Sequence, residues 1–307
     1  MRFLIFILKQ SIGFLFINLG GIFLLKRKFK SNPIFIVLNY HNFSKYNNYK
    51  KKRGKISETG YKENFSKQLK FLKKHFIFLY PEEFFEGEPP NGLNVLITFD
   101  DGYKDNFDIA FPILKKYNAK AIFFIVTKII GTDNWLKHDK MRFLVEKKLK
   151  DEYEVEAQLK KMNQGQLIES WIKQNESLIA LPQKRLMMNW QEVKEMVQQG
   201  LKIAPHTHQH SVLSTLDYEK QKNEIVASVK TIKKQLNIDA SYFAYPNGRY
   251  NDDSLNILLQ NQIQYSFTTQ PGFNSKKSAH LKLKRIGINP SDSIGVLLLK
   301  LYLNRNK

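Results

Sequence analysis

Short apolar runs alternate with segments of helical periodicity from about residue 33 onwards. Between the first two runs, for example, Phe65, Leu69, Leu72 and Phe76 recur at the spacing of one helix face. This alternation predicts βα units and a parallel sheet, the arrangement that defines an α/β fold. The runs that we predict to be strands are residues 34–40, 95–99, 121–126, 201–205, 242–245, 265–268 and 283–288.

The size of the predicted sheet narrows the architecture further. Seven strands are too many for a small sheet, and 307 residues are enough for one large α/β barrel or for two ordinary domains. We expect one domain with an appendage. Residues 136–184 are polar and helical in composition, so we predict a helical insertion there that overhangs one rim of a barrel. Other helices are predicted to begin near Asp108, Trp190 and Asp253.

Chemically capable residues recur at the points where apolar strands stop. The carboxyl ends of parallel strands meet on one face of an α/β barrel, so residues far apart in sequence can share a site there. One such residue alone is usually a helix cap or part of a turn, whereas four coincidences favour a functional site. They are His41 after "IFIVLNY", Asp100 and Asp101 after "VLITF", His206 after "LKIAP", and Pro246 and Gly248 after "YFAY".

Two of these strand ends together predict a metal site. Asp100 and Asp101 are adjacent carboxylates, which repel each other unless a cation lies beside them. The chain has no cysteine, so metal ligands must be nitrogen or oxygen atoms. In "HTHQH" a helical turn would place His206 and His210 on one face and point His208 elsewhere. With one of the two carboxylates they would form a two-histidine, one-carboxylate site; a solvated histidine-rich turn is the alternative.

The charge of the chain is concentrated at its N-terminus. The formal net charge is +21, and the first 57 residues hold twelve Lys or Arg and no Asp or Glu. A solvated basic surface, nucleic acid and an anionic membrane could each account for this excess. The basic residues follow a hydrophobic segment, which favours a membrane surface over nucleic acid.

That hydrophobic segment is too short for an ordinary membrane span. Ser11 to Leu25 are fifteen uncharged residues, about 22 Å of helix against a hydrocarbon core of about 30 Å. No small-residue cleavage site follows. The basic residues that come next would hold the following domain on the cytoplasmic side. We expect residues 1–30 to associate with the cytoplasmic membrane as an interfacial or short signal anchor; a purely structural hydrophobic helix is the alternative.

Three motifs resemble those of the polysaccharide deacetylases, carbohydrate esterase family 4. "TFDDGYKDN", "HTHQH" and "FAYPNGRY" occur in that family's order, and the likeness spans about residues 34–290. The resemblance implies a distorted (β/α) barrel and a metal-dependent hydrolase. It also implies that Asp100 is the general base and that Asp101, His206 and His210 bind the metal.

The chain departs from the family pattern in two places. Ala244 stands where the third motif has arginine, and no late Leu-x-His motif supplies the usual general acid. "VLNYHNF" resembles the circularly permuted poly-N-acetylglucosamine deacetylase branch, which makes His41 the candidate acid; a satisfied core histidine is the alternative. By family analogy the backbone N–H of Asn247 stabilises the oxyanion. We hypothesise that Arg285 replaces the missing guanidinium near Asp100, rather than being an ordinary surface arginine.

The function expected from these features is N-deacetylation of an N-acetylhexosamine in a cell-surface glycan or its lipid-linked precursor. Zinc is the default metal, and cobalt, nickel, manganese or iron also suit the ligands. A catalytically silent glycan-binding protein and a deformylase or amidase acting on another lipid-linked sugar are the alternatives. Tyr245 and Trp190 could stack on a sugar, although apolar packing is the simpler role. The catalytic domain is expected to span residues 31–307.

Overall fold

A computed structural model of the chain describes residues 11–43, 58–148 and 185–306. Its strands within these ranges are β1 Pro33–Tyr40, β2 Ile77–Phe78, β3 Gly92–Phe99, β4 Ala121–Ile125, β5 Lys202–Pro205, β6 Tyr242–Ala244, β7 Tyr265–Phe267 and β8 Ile286–Gly287. Its α-helices there are α1 Gly21–Lys28, α2 Glu58–His75, α3 Pro81–Phe85, α4 Phe111–Tyr117, α5 Lys137–Lys148, α6 Trp190–Gln198, α7 Tyr218–Leu236, α8 Asp252–Gln260 and α9 Ile294–Asn304.

The strands form two parallel sheets. The larger has the order β5-β4-β3-β1-β8, with the short β2 also paired to β3, and the smaller consists of β6 and β7. A single parallel bridge between Phe267 and Leu283 links β7 to the segment before β8. The predicted α/β fold with a parallel sheet is confirmed, and β2 was not predicted. Within the described ranges no ladder joins β5 to β6, so a closed barrel stays a prediction.

The central strands are buried on both faces, which explains their continuous apolar sequences. β1 and β3 pair in register from Pro33 opposite Gly92 to Tyr40 opposite Phe99. All residues of both strands except the first are buried. One face packs against α2, and the other packs against α3 and the smaller sheet. Polar side chains can therefore gather beside these strands at the ends of the sheet, and the carboxyl ends form one such edge.

The predicted helix starts are confirmed near residues 190 and 253. Asn189 caps α6 by accepting a hydrogen bond from the N–H of Glu192, as the sequence pattern of a capping box requires. The helix predicted to begin near Asp108 includes a π-helical turn, Asn106–Ala110, which continues into α4. The predicted insertion at 136–184 begins with α5, and residues 149–184 lie outside the described residues.

The N-terminal segment is helical but interrupted. Residues 11–18 form one helix, and α1 follows after Gly20, whose φ of 78° ends the first helix. No helix in the described part of the chain is long and apolar enough to cross a membrane. Residues 1–10 lie outside the described residues. The predicted division of the chain at residue 30 stays a prediction.

Candidate active site

Asp100 follows the last residue of β3 and is held by a buried arginine. The guanidinium of Arg285 donates two hydrogen bonds to its carboxylate, at 2.7 Å from Nη1 and 2.8 Å from Nη2. Asn39 Nδ2 donates a third at 3.0 Å, and Arg285 Nε donates to the carbonyl of Thr268. Arg285 is 1% exposed, so it is not a surface arginine. This bidentate pairing fixes the plane of the carboxylate.

The surroundings of Asp100 keep it ionised. Burial alone would raise the pKa of this carboxyl group. The charges of Arg285 and of the imidazoles of His206 and His41 oppose that effect, as do the arginine hydrogen bonds, and the pKa of Asp100 is lowered overall. A carboxylate in this state can accept a proton from a neighbouring group.

Asp101 turns away from its neighbour and faces two histidines. Its φ of 80° redirects the side chain at the end of the strand. Asp101 Oδ1 lies 3.2 Å from His210 Nε2 and 3.8 Å from His206 Nε2. One ligand atom from each of these three residues lies within 4.8 Å of the others. The structure thus brings together the three side chains that the sequence predicted as metal ligands.

The protonation of His206 indicates that a cation fits between these groups. His206 Nδ1 lies 2.7 Å from the carbonyl oxygen of Ala244, which can only accept, so Nδ1 carries the proton and Nε2 presents a lone pair. Burial lowers the pKa of His206 to about 4, which favours this neutral form. Asp101 Oδ1 is buried and faces the imidazole nitrogens of His206 and His210. A buried carboxylate oxygen that faces an imidazole lone pair is part of the donor set of a divalent cation.

The turn that carries the two histidines is not helical, so that part of the prediction was wrong. Thr207 and His210 have φ angles of 62° and 63°, in the left-handed region. The two imidazole rings still converge, with centroids 5.0 Å apart. His208 lies outside the cluster and its Nδ1 bonds Thr127 Oγ1 at 2.9 Å. The spacing of the histidines therefore indicated a pair whose rings do converge, although the helical geometry behind that prediction was wrong.

Glu224 of α7 holds this turn from behind. It is buried, and Oε2 accepts hydrogen bonds from the backbone N–H of His208 at 3.1 Å and of Gln209 at 2.9 Å. Oε1 accepts from the side-chain amide of Gln209 at 3.0 Å. Left-handed residues persist only where surrounding contacts over-determine the backbone, and Glu224 supplies such contacts. In the sequence, the one signal for this role is a charged residue at a position of the helix that packs inward.

His41 lies on the other side of Asp100. His41 Nε2 is 3.9 Å from Asp100 Oδ2, and its side chain is 53% exposed, so it is not a buried core histidine. Asn106 Nδ2 donates to the carbonyl of His41 at 2.7 Å, and Asp105 Oδ2 accepts from the N–H of Phe43 at 2.8 Å. The last two residues of "FDDGYKDN" therefore position the loop that carries His41.

The turn after β6 carries Asn247 in a left-handed backbone conformation. Pro246–Gly248 form a 3₁₀ turn in which Asn247 has a φ of 56°, and Thr269 Oγ1 donates to the carbonyl of Asn247. Tyr245 is fully buried and donates to the carbonyl of Leu281, so it packs in the core. The catalytic and metal-binding roles predicted for these residues stay predictions. The structure does bring the residues together at the edge formed by the carboxyl ends of the strands.

Three further polar residues flank the candidate metal ligands. Tyr103 donates to Asp139 Oδ2 at 2.9 Å and lies 3.0 Å from His138 Nε2. His138 Nε2 lies 4.0 Å from Asp101 Oδ2, and the imidazoles of His138 and His210 have centroids 5.2 Å apart. His138 and Asp139 lie near the start of the stretch predicted as an insertion, residues 136–184. No sequence pattern marked them as site residues. The start of that stretch therefore borders the site.

A comparison with protein families decides the relationship. The polysaccharide deacetylase family matches residues 87–266, more than half of the chain. The chain belongs to this family. It is a deacetylase of the hydrolase class, as the resemblance of its motifs implied.

Individual relatives extend the match beyond those residues. The poly-β-1,6-N-acetyl-D-glucosamine N-deacetylase of Staphylococcus aureus strain N315 is 27% identical to this deacetylase over 292 residues, 86% of this chain and 81% of that protein. YxkH of Bacillus subtilis is 27% identical over 237 residues, 76% of this chain and 66% of that protein. This chain thus spans just under two thirds of the length of YxkH.

Solved structures show the same fold. The Streptococcus pyogenes deacetylase PplD, in complex with acetate, is 26% identical with a TM-score of 0.63, covering 88% of this chain and 99% of that one. IcaB from Ammonifex degensii is 22% identical with a TM-score of 0.59, covering 87% and 96%. The second likeness concerns the fold alone.

Proposed function

We propose that this deacetylase hydrolyses the N-acetyl group of N-acetylglucosamine residues in a polysaccharide. The observation that carries the proposal is the contrast between two adjacent carboxylates. Asp100 is paired with Arg285, whereas Asp101 faces the lone pair of His206. One carboxylate is thus arranged to take a proton and the other to bind a cation.

The metal would be held by Asp101, His206 and His210. A divalent cation bound by these ligands supplies Lewis acidity, which lowers the pKa of a coordinated water and polarises a carbonyl oxygen. Zinc is the default because it favours imidazole and carboxylate ligands, and the open positions of such a site also suit cobalt, nickel, manganese and iron. The carbonyl of Ala244 orients the His206 ring for this task, since it keeps the proton on Nδ1.

Asp100 would act as the general base. It would accept the proton of the attacking water, while Arg285 holds both carboxylate oxygens in a fixed plane. The guanidinium takes the part of the arginine that Ala244 replaces in the third motif. This arrangement removes the main reason to regard the chain as a silent glycan-binding protein.

His41 would act as the general acid for the departing amine. It is half exposed and lies beside Asp100, at the edge where a sugar can approach from solvent. In its protonated form it would deliver a proton to the amine nitrogen as the amide C–N bond breaks and acetate leaves. The backbone N–H of Asn247 would donate to the oxyanion that forms on the acetyl carbonyl.

The substrate class is inferred from relatives. A relative covering 86% of this chain is named a poly-β-1,6-N-acetyl-D-glucosamine N-deacetylase, which supports a β-linked N-acetylglucosamine polymer as substrate. A lipid-linked precursor of such a polymer would present the same sugar amide to the site. We place the reaction at the cytoplasmic membrane, because the basic, apolar N-terminus would bring the enzyme to membrane-borne glycan.

Acetate release tests the proposal directly. Purified protein is incubated with β-1,6-linked N-acetylglucosamine oligomers, and acetate is measured before chelation, after chelation and after zinc is restored. We expect activity that chelator suppresses and zinc recovers. Metal binding without acetate release from oligomers or from lipid-linked sugars would contradict the proposal and favour a glycan-binding protein, and release of formate would favour the deformylase alternative.

A further inference from the structure

Exposed apolar side chains are concentrated on the N-terminal helices. Nine large apolar side chains are exposed within the described ranges; six of them lie between residues 12 and 24, and a seventh, Leu303, lies near the end of α9. We call these seven side chains the apolar platform. They are Ile12, Phe14, Leu15, Leu19, Phe23, Leu24 and Leu303. A group of large apolar side chains exposed together on the surface of a domain is typical of an interaction site.

The platform is built into the domain rather than tethered to it. The helix of residues 11–18 crosses α9 in direct backbone contact, because a Cβ on Gly13 would lie 2.7 Å from the carbonyl carbon of Gly295. The rings of Phe16 and Tyr302 pack beside this crossing with centroids 4.9 Å apart. Leu25 of α1 is fully buried in the main core. Whatever binds the platform therefore holds the whole domain in one orientation.

Basic side chains lie next to the platform. Lys26, Arg27 and Lys28 are exposed in the last turn of α1, and exposed Lys30 follows. No acidic residue occurs among the first 57 residues, so no charge of the opposite sign lies near them in the sequence. Apolar side chains beside a cluster of cations are the pattern of a surface that meets the headgroups of anionic lipids.

We propose that the apolar platform docks the domain onto the surface of an anionic bilayer. The platform residues would enter the interface between headgroups and acyl chains, and the four cations would contact lipid phosphates. The break at Gly20 keeps the two helices short, so the segment lies along the interface instead of crossing it.

The platform runs along one side of the domain, between the two ends of β1. The N–H of Ile288 donates to the carbonyl of Asn39 at 2.9 Å, so the chain entering α9 runs beside the carboxyl end of β1. Gln68 ties these segments together: it accepts from the Tyr40 hydroxyl and donates to the carbonyl of Asp292. The helix crossing at Gly295 follows directly, near the end of the domain that carries His41, whereas the four cations directly precede β1, at its amino end. The docked domain would therefore lie side-on to the bilayer, with the edge that carries the candidate active site beside the membrane; this placement rests on the proposed function only for its meaning in catalysis.

Vesicle sedimentation tests the docking. The full chain is mixed with vesicles of phosphatidylcholine alone or with added phosphatidylglycerol. We expect binding to the mixed vesicles, and about a fivefold loss for each cation removed in Lys26→Gln and Arg27→Gln. Leu19→Ser/Phe23→Ser should lose binding altogether, whereas Leu259→Ser, an exposed apolar position on α8, should bind like the unaltered chain.

The same experiment can overturn the proposal. Failure of the wild-type protein to bind the mixed vesicles, or binding of the Leu19→Ser/Phe23→Ser variant to them, would contradict the proposal. A dimer that Leu19→Ser/Phe23→Ser dissociates, without vesicle binding, would assign the platform to self-association instead. Acetate release from soluble oligomers is measured in parallel, and we expect it to be unchanged, so a failure of docking is distinguishable from a failure of catalysis.

Single cysteines test the orientation, because the natural chain has none. An environment-sensitive fluorophore is attached to Ser11→Cys, next to the platform, or to Gln199→Cys, which precedes β5, the edge strand of the larger sheet on the side away from β8. Mixed vesicles should blue-shift the first probe and leave the second unchanged. A shift at Gln199→Cys alone, or equal shifts at both positions, would show that the domain docks the other way round or without a fixed orientation.

Discussion

Asp100 and Asp101 are neighbours in the chain, yet their side chains have different partners. Asp100 lies against a guanidinium and Asp101 against two imidazoles, so substitutions of the two residues should have different effects on metal content and turnover. Asp100→Asn should retain zinc and lose turnover by about 10²–10⁴-fold, the usual contribution of a general base. Asp101→Asn should lose both. Zinc per chain after dialysis, measured with acetate release, separates the variants; equal zinc content would contradict the assignment.

Arg285 is predicted to orient the base rather than to bind the metal. Arg285→Lys keeps the positive charge but cannot form two parallel hydrogen bonds, so the carboxylate plane is no longer fixed. We expect kcat to fall about 100-fold, the cost of a misplaced catalytic group, with zinc content and KM little changed. Arg305→Lys, at the end of α9, is the matched control and should retain full turnover. Loss of zinc in Arg285→Lys would show a different role.

At the scale of elements, α7 determines the geometry of the histidine turn through one side chain. Glu224→Gln removes the negative charge and keeps only one acceptor oxygen, which cannot accept both from the backbone N–H groups of His208 and Gln209 and from the side-chain amide of Gln209. We expect zinc affinity, measured by competition with a chelating dye, to fall about 10- to 100-fold. Glu219→Gln, exposed on the same helix, should have no effect. Unchanged zinc affinity in Glu224→Gln would exclude this positioning role.

The turn after β6 depends on a glycine for two reasons that a pair of variants can separate. Gly248 has a φ of 68°, and a Cβ there would lie 2.2 Å from Thr269 Oγ1; Gly200 has a φ of 85° but open space around it. Gly200→Ala should cost about 1–2 kcal/mol of unfolding free energy from the left-handed backbone alone. Gly248→Ala should cost about 1–3 kcal/mol more because of the clash. Equal losses in urea denaturation would contradict this account.

The same elements show what sequence patterns can and cannot reveal. Strand positions and the edge that carries the site followed from local periodicity, because a strand buried on both faces must be continuously apolar. The pairing of Arg285 with Asp100 was only a hypothesis, since it depends on how β8 lies against β1. His138, Tyr103 and Asp139 were missed because their proximity is tertiary and leaves no periodic signal. The left-handed φ angles of Thr207 and His210 likewise come from contacts with α7 and neighbouring loops, which no propensity encodes.

For the whole molecule, metal binding should stabilise the fold. A cation that binds only the native state adds about 2.7 kcal/mol when its free concentration is 100 times Kd. Zinc should therefore raise Tm in calorimetry, and chelator should reverse the change. His206→Ala should lose this response, while His280→Ala, an exposed histidine away from the ligands, should keep it. If zinc does not change the Tm of the unaltered chain, this result would argue against Asp101, His206 and His210 as metal ligands.

The pairing of Asp100 with Arg285 joins residues 185 positions apart. A ribosome adds residues in order, so a nascent chain contains Asp100 long before Arg285, whose guanidinium stabilises the Asp100 carboxylate. Until Arg285 emerges, burying Asp100 would leave an uncompensated charge in the core, which is strongly unfavourable. The edge of the sheet should therefore mature late in synthesis, and a product cut short before Arg285 should neither hold its base in place nor complete its core.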